Sequence, residues 1–384
     1  MQQSIFNNNG FWISADSNIN MYAGIVGELL KKTDWEFDVL IGFPFADINN
    51  PNEILKDKRI KYIRNKYPVD AILSRYYFDV DDFKMILVES KPEVIWNNIS
   101  EITRNIKAVC KNLKLEIPII NCNYWIDAPW IDEGKVDYLV SYVFRQIDGA
   151  LTADLVPFTC ENVREAFFMN METSLDSGFI DMIKSKSTIW NFGFSKTEML
   201  KYWTSNKFNK KTILFPNRLS GINYTHHLEF IEVVNKLYEY RQDFQVVFTN
   251  PSQKIDWQFL KDKVKALYIV KESSLNRKEY IELLWMSDIV VNLYDIERYG
   301  GCANIEAIFC DCLPVMTKYG EYIKRTPKNY KYFIDLPITI DKIFKVLYRA
   351  LDNKETFNFN IEESAYETVS ELVIQDINKL IDKG

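Results

Sequence analysis

Asp288-Ile289-Val290-Val291-Asn292-Leu293 leads through Tyr294-Asp295-Ile296-Glu297-Arg298-Tyr299-Gly300-Gly301 into Cys302-Ala303-Asn304-Ile305-Glu306-Ala307, and Cys310-Asp311-Cys312-Leu313-Pro314-Val315 follows closely. An apolar run, a loop with paired glycines, a helical stretch and a second apolar run make one βα unit of a parallel sheet. Glycines at a helix entrance leave backbone N–H groups exposed at the positive end of the helix, where an anion binds. Within that helix, Glu306 is placed to take a hydroxyl pair such as a ribose, and Glu297 before the glycines to contact a sugar. The same residues also fit a glycine turn with two solvated glutamates.

Outward from this unit, short β-rich runs alternate with amphipathic stretches almost from end to end, so the fold class is α/β. In the second half the strands are expected at 212–216, 245–249, 266–270, 288–293 and 313–316. Helices are expected at 227–240, 257–264 and 277–286 and from about Cys302. The first half carries strand candidates at 38–42, 60–63, 94–96, 117–122 and 155–159. Its helices are expected from a cap at Asn18 to Lys32, over 99–115 and over 161–169. The pattern breaks between Thr188 and Asn209, in an aromatic and polar stretch followed by lysines and asparagines. The joint therefore divides a domain at 1–195 from another at 196–360, with a closing helix at 361–384 built on Val369, Leu372, Val373, Ile377, Leu380 and Ile381.

A second anion-binding loop, Phe215-Pro-Asn217-Arg218-Leu219-Ser220-Gly221, ends the first strand of the second half. Arg218 has the fork geometry that a diphosphate requires, although an arginine there also serves a surface ion pair. In tandem, two doubly wound domains put the carboxyl ends of their sheets across a cleft, the usual ligand position.

The chain has 384 residues with 47 Lys+Arg against 53 Asp+Glu, a formal charge of −6. Bulk charge therefore does not carry it to nucleic acid or anionic lipid, and such a partner needs a local basic patch. Aromatics reach 15%, which suits ring-lined ligand surfaces. The first residues lack a signal-peptide pattern and no run of 18 apolar residues follows, so a cytoplasmic protein without a membrane segment is expected. Six scattered cysteines without C-x-x-C spacing read as free thiols. The two histidines, His226 and His227, are adjacent, poor geometry for one metal, and no metal is expected.

The second half resembles retaining GT-B glycosyltransferases of the glycosyltransferase family 4 type. The matching elements are the strand ending at Arg218-Leu219, Asp288-Ile-Val-Val-Asn292, Glu297-Arg-Tyr-Gly300, Glu306-Ala307 and Cys310-Asp-Cys-Leu-Pro314-Val315. The resemblance implies two Rossmann-like domains facing an interdomain cleft, and transfer of a sugar from a nucleotide sugar, UDP-glucose type favoured, with retention. In that family an arginine and helix-end amides hold the diphosphate, the later glutamate holds ribose and the earlier one the transferred sugar. By position these roles fall on Arg218, on Gly300, Gly301, Cys302 and Ala303, on Glu306 and on Glu297. The family's two glutamates are separated by seven residues and these by eight. A lysine that follows the arginine in the family is replaced by Gly221, Ile222 and Asn223.

In the first half, Asn121-Cys122-Asn123-Tyr124-Trp125-Ile126-Asp127 follows a buried strand at the place where the family has an acceptor-side polar residue. Asn123 and Asp127 are candidates for orienting an acceptor hydroxyl and Trp125 for a stacking wall; a polar loop beside a core tryptophan is the alternative. Arg145 and Gln146 are lesser candidates. The spacing from Glu306 to Cys310–Pro314 also resembles T-even phage DNA glucosyltransferases, and the lysine-, asparagine- and isoleucine-rich composition suits a phage. The expected acceptor is thus a hydroxymethylated pyrimidine in DNA, with the host cytoplasm as the setting. Basic residues for it are Arg104, Lys107, Lys111 and Lys114 along one helix, and Lys56, Lys58, Arg59, Lys61, Arg64 and Lys66. A glycan-, lipid- or protein-directed enzyme of the same type, a nucleotide-sugar epimerase and a non-catalytic sugar-binding subunit fit the same residues.

Overall fold

Apolar runs too short for helices become the strands of two large parallel sheets and, among the described residues, a third of two strands. The computed structural model describes residues 2–7, 15–41, 57–64, 80–98, 100–123, 137–172, 175–191, 193–217, 225–249, 262–271, 275–294 and 301–382. Two units divide the chain: Met1–Phe192 with Tyr366–Gly384, and Gly193–Ala365.

The first unit runs β1 (Gln2–Asn7), α1 (Ala15–Lys32), β2 (Glu36–Ile41), β3 (Ile60–Arg64), α2 (Val80–Ser90), β4 (Ile95–Asn97), α3 (Thr103–Asn112) and β5 (Ile119–Asn121). It continues with α4 (Asp137–Thr152), β6 (Val156–Phe158), α5 (Glu161–Glu172), α6 (Ser177–Lys184) and β7 (Ser187–Ile189). Its sheet has the order β3-β2-β1-β4-β5, every ladder parallel. Strand β1, which the sequence reading missed, lies at the centre of this sheet. Its Gln2-Gln3-Ser4 start reads as polar, but pairing to β2 on one side and β4 on the other overrides that local preference. Helix α1 begins at Ala15, so Asn18, expected as its cap, lies inside it.

Alternation along β4 and β5 divides the core. Trp96 and Ile120 join Ile25 and Leu29 of α1 on one face, while Ile95 and Ile119 join Phe83 and Leu87 of α2 and Ile106 of α3 on the other. Each such side chain, fully buried, contributes about 1.5–3 kcal/mol.

The second unit runs α7 (Lys196–Lys201), β8 (Lys211–Phe215), α8 (His227–Tyr240), β9 (Phe244–Thr249), β10 (Tyr268–Lys271), α9 (Arg277–Met286) and β11 (Ile289–Asn292). Then come α10 (Cys302–Phe309), β12 (Leu313–Thr317), α11 (Gly320–Arg325), β13 (Phe333–Ile334) and α12 (Ile340–Leu351). The parallel sheet has the order β10-β9-β8-β11-β12-β13. On one face Phe215 stacks on Phe230 of α8 at 4.4 Å between ring centroids, and the other face carries Leu214, Val247 and Val290 against Leu284 and Ile305. Of the helix expected at 257–264, residues 257–261 lie outside the described residues, and Asp262 and Lys263 are helical.

Helix α13 (Tyr366–Ile381) closes the chain. The sequence reading set this segment apart as 361–384; the structure builds the helix into the first unit, because Val369, Val373 and Ile377 form a stripe that packs with Ile25 and Leu29. Gly24 permits that approach, since a Cβ there would meet the Tyr366 ring at 2.3 Å. The joint lies at 192/193 instead of 195/196: Ser195 belongs to the second unit, where its hydroxyl caps α7 by accepting from the Glu198 amide at 3.2 Å. Among the described residues no helix is long and apolar enough to cross a membrane.

Candidate functional site

In both large sheets the strand order reverses once, between β1 and β4 and between β8 and β11, and open α/β sheets bind ligands outside the carboxyl ends of the strands at such a point. In the second unit, the Asn217 side-chain amide spans this point and donates to the Val291 carbonyl at 3.1 Å. Asn292, at the end of β11, is the register partner of Met316 on β12. Asn304, in the first turn of α10, turns its amide nitrogen to the Met316 sulfur at 3.5 Å. The Oδ1 of each asparagine is buried without a hydrogen-bond partner.

Gly301 makes the entrance to α10. Its φ of 72° lies in the left-handed region, and a Cβ there would fall 2.2 Å from the Tyr322 ring, so conformation and space both demand glycine. The Gly301 carbonyl accepts from the Asn304 and Ile305 amides, at 2.9 and 3.1 Å, which starts the helix. The amides of Cys302 and Ala303 precede the first intrahelical donors, and a helix entrance of this kind accommodates an anion.

Glu306, one turn further along α10, is held by α9. Its Oε1 receives Nη2 of Arg277 at 2.5 Å, and Arg277 also bridges Glu198 of α7 at 3.0 Å. Tyr280 of α9 lies close enough to Glu306 to help lower its carboxyl pKa. Burial pushes the Glu306 carboxyl above its usual range, and Arg277 opposes that push. Burial alone lowers the Arg277 pKa, but the two carboxylates overcome this and hold the guanidinium charged. Sequence reasoning found Glu306 and missed Arg277, Tyr280, Glu198, Asn292 and Asn304. The three-residue spacing of Arg277 and Tyr280 on a predicted helix was the available signal for those two. Arg218, Glu297 and Gly300 lie outside the described residues.

In the first unit Asn123 is buried and hydrogen-bonded on both ends of its amide. Its Oδ1 accepts from Ser100 at 2.7 Å and its amide nitrogen donates to the Asn121 carbonyl at 3.3 Å. Asp127, Tyr124 and Trp125 lie outside the described residues. Gln146 is buried on α4 and Arg145 exposed beside it. The basic face of α3 is partly neutralised: Arg104 pairs with Asp148 and Lys107 with Asp154, each at 3.2 Å. Arg59 is taken up by Asp57 and the Thr33 carbonyl, while Lys56 and Lys66 lie outside the described residues.

All six cysteines are free thiols, five of them buried. Burial pushes the Cys302 and Cys110 thiols up to about 11 and Cys312 to about 12, so none of the three supplies a thiolate at neutral pH. His227 is neutral for the same reason: burial lowers its pKa, and Nδ1 lies 3.2 Å from the Thr225 hydroxyl. Among the described residues no three His, Cys, Asp or Glu side chains group as metal ligands.

Two switch-point sheets in tandem, with a glycine-opened helix and a buried glutamate in the second, define the GT-B class, and comparison with solved structures shows that fold. Sucrose-phosphate synthase from Thermosynechococcus elongatus superposes with a TM-score of 0.66 at 13% identity, over 99% of this chain and 95% of that one. HepE from Anabaena in complex with UDP-glucose gives 0.62 at 11% identity, over 100% and 99%. Among curated proteins, the tRNA-queuosine alpha-mannosyltransferase of Drosophila melanogaster is 27% identical over 209 residues, 50% of this chain and 54% of that protein. The match spans about half the length of that relative. No family model matches the sequence.

Proposed function

We propose that this chain is a glycosyltransferase that moves a sugar from a nucleotide sugar, a UDP-sugar favoured, to a hydroxyl on a modified base of nucleic acid, with retention. The observation that carries the reading is the second unit's switch point. The Gly301 entrance to α10, the unpartnered oxygens of Asn292 and Asn304 and the anchored Glu306 together offer an anion seat beside acceptors for hydroxyl hydrogens. A nucleoside diphosphate linked to a sugar presents both chemistries. The likeness to a UDP-glucose complex supports the donor, and the curated relative, named for a tRNA base, supports a nucleic-acid acceptor.

In this reading the amides of Gly301, Cys302 and Ala303 and the guanidinium of Arg218 offset the charge that develops on the departing diphosphate. Glu306 takes the ribose hydroxyls, its carboxylate fixed by Arg277. Glu297 contacts the transferred sugar, and an oxygen of the leaving phosphate accepts the acceptor's proton. A base in tRNA is the first acceptor to try and a hydroxymethylated pyrimidine in DNA the second. Incubation of the protein with UDP- and GDP-sugars and either RNA or hydroxymethylated DNA, followed by digestion to nucleosides and mass analysis, tests this. A hexose- or pentose-sized mass gain on one nucleoside is the expected result. Nucleotide-sugar binding with no gain on either polymer refutes the acceptor, and absence of nucleotide-sugar binding refutes the donor.

A further inference from the structure

Arg277 is a cation at the unfavourable end of its own helix. It is the first residue of α9, whose start Asn276 fixes through a capping box, and the positive end of the helix dipole disfavours a guanidinium there. A buried ion cluster is, moreover, often no more stable than an apolar cluster of the same volume. Helix and core stability alone therefore give little reason for an arginine at this position. Its bonds divide unequally between two carboxylates. Nε donates to Glu198 Oε2 at 3.0 Å and Nη2 lies at the same distance from that oxygen, whereas Glu306 receives Nη2 alone, at Oε1 and 2.5 Å. Glu198 thus occupies one edge of the guanidinium. An arginine without such a restraint tends to close on a carboxylate with two parallel N–H bonds, which would use both oxygens of Glu306. Glu198 is itself held, since the Ser195 hydroxyl caps α7, the Trp285 indole donates to the Met199 carbonyl at 3.0 Å, and Met199 sits in the core with Leu284 and Ile305. From α9, Tyr280 underlies the guanidinium, its ring centroid 5.8 Å from the guanidinium carbon.

We propose that Glu198 is a positioning residue of the donor site, acting through Arg277: it keeps the guanidinium from closing on both oxygens of Glu306, so that one oxygen stays open to a pair of ribose hydroxyls. The inference deepens the reading of Glu306 as the ribose contact and rests on it. Two carboxylates and one guanidinium leave the cluster a single negative charge, and burial pushes the Tyr280 hydroxyl well above its ordinary pKa, so the phenol adds none. Such a cluster favours a neutral hydroxyl donor at Glu306 over a phosphate. The nucleotide it takes therefore carries a free 2′,3′-diol.

Glu198→Gln and Arg277→Lys test it. The first keeps the size of the side chain and removes the charge that holds the guanidinium edge; the second keeps the cation and removes the fork that spans two carboxylates. The full chain and both variants are titrated by calorimetry with UDP and GDP and with the 2′,3′-dideoxy form of each. The wild type is expected to bind the preferred ribonucleotide at least tenfold more tightly than its dideoxy form. In each variant that ratio is expected to fall below about threefold, while affinity for the dideoxy form stays within about twofold of wild type. A merely structural role weakens both forms together, so equal losses on the two forms, or loss of the fold in both variants, overturn the assignment. A tenfold ratio kept by either folded variant overturns it as well. Equal binding of the two forms by the wild type removes the ribose contact at Glu306, and this inference with it, but leaves the nucleotide-sugar donor standing. Failure of the folded wild type to bind any of the four nucleotides removes the glycosyl-transfer reading itself and the inference that rests on it.

Discussion

Arg277→Met removes one cation from between two carboxylates. The side chains of Arg277, Glu198 and Glu306 are 20%, 17% and 9% exposed, so the pairing is largely shielded from water and from salt. Deleting one partner of a buried ion pair costs about 3–5 kcal/mol, because the remaining charge is stranded. In a unit of this size each kcal/mol moves the thermal midpoint by about 2–4 °C, so a loss of roughly 6–20 °C is expected at pH 8. The loss must also depend on pH. Burial holds the Glu306 carboxyl above its usual value, and without Arg277 nothing offsets that burial. A carboxyl raised in the folded state opposes folding once it is ionised; the deficit is therefore full above the folded pKa and shrinks as pH falls toward the unfolded one. Differential scanning calorimetry of wild type and variant at pH 8 and pH 5.5 reads both effects. A midpoint within 2 °C of wild type at pH 8 refutes the reasoning, and a deficit that grows on acidification refutes its electrostatic basis.

Gly301→Ala combines a left-handed φ, which costs about 1–2 kcal/mol, with a methyl 2.2 Å from the Tyr322 ring; calorimetry should show destabilisation, partly relieved in the double variant with Tyr322→Ala. Glu306→Gln should keep the fold and weaken UDP binding, whereas Glu297→Gln should leave UDP binding nearly intact and depress transfer; equal losses of UDP binding in the two variants contradict the division of roles. Arg218→Ala should lower turnover by on the order of a hundredfold, read in single-turnover assays. Hydrogen bonds from Arg59 hold the Asp57 carboxyl down at about 2, so the stability it supplies is present above the ordinary carboxylate pKa near 4 and is lost as pH falls through about 2. Asp57→Asn should thus narrow its midpoint gap to wild type between pH 6 and pH 2.5.

Much of the second unit was legible because its strands are continuous apolar runs and its helices carry local signals. Asn276 caps α9 in a full capping box, and both that helix and α8 start and end where the sequence places them. Strand β1 was not legible, since a polar segment becomes a central strand only through two long-range ladders. The C-terminal helix was legible as a helix but not in its place, because a stripe of apolar residues does not name the core it enters. At the site, the glycine entrance could be read from spacing, as only glycine fits it. The anchoring of Glu306 could not, because Glu198, Arg277 and Glu306 are distant in sequence and meet only through packing of three helices. The bonds of Asn123 were equally hidden: its position at a strand end marked a polar residue, but not that Ser100 and Asn121 bind its amide.

Titration of the full chain with UDP-glucose, and with UDP alone, tests the central claim most directly, with UDP release and the thermal midpoint as readouts. The account predicts saturable one-site binding that adds about 2.7 kcal/mol of stability at one hundred times the dissociation constant, and slow UDP release that accelerates when an acceptor nucleic acid is added. Neither UDP- nor GDP-sugars raising the midpoint at millimolar concentration, in a protein folded by calorimetry, contradicts it.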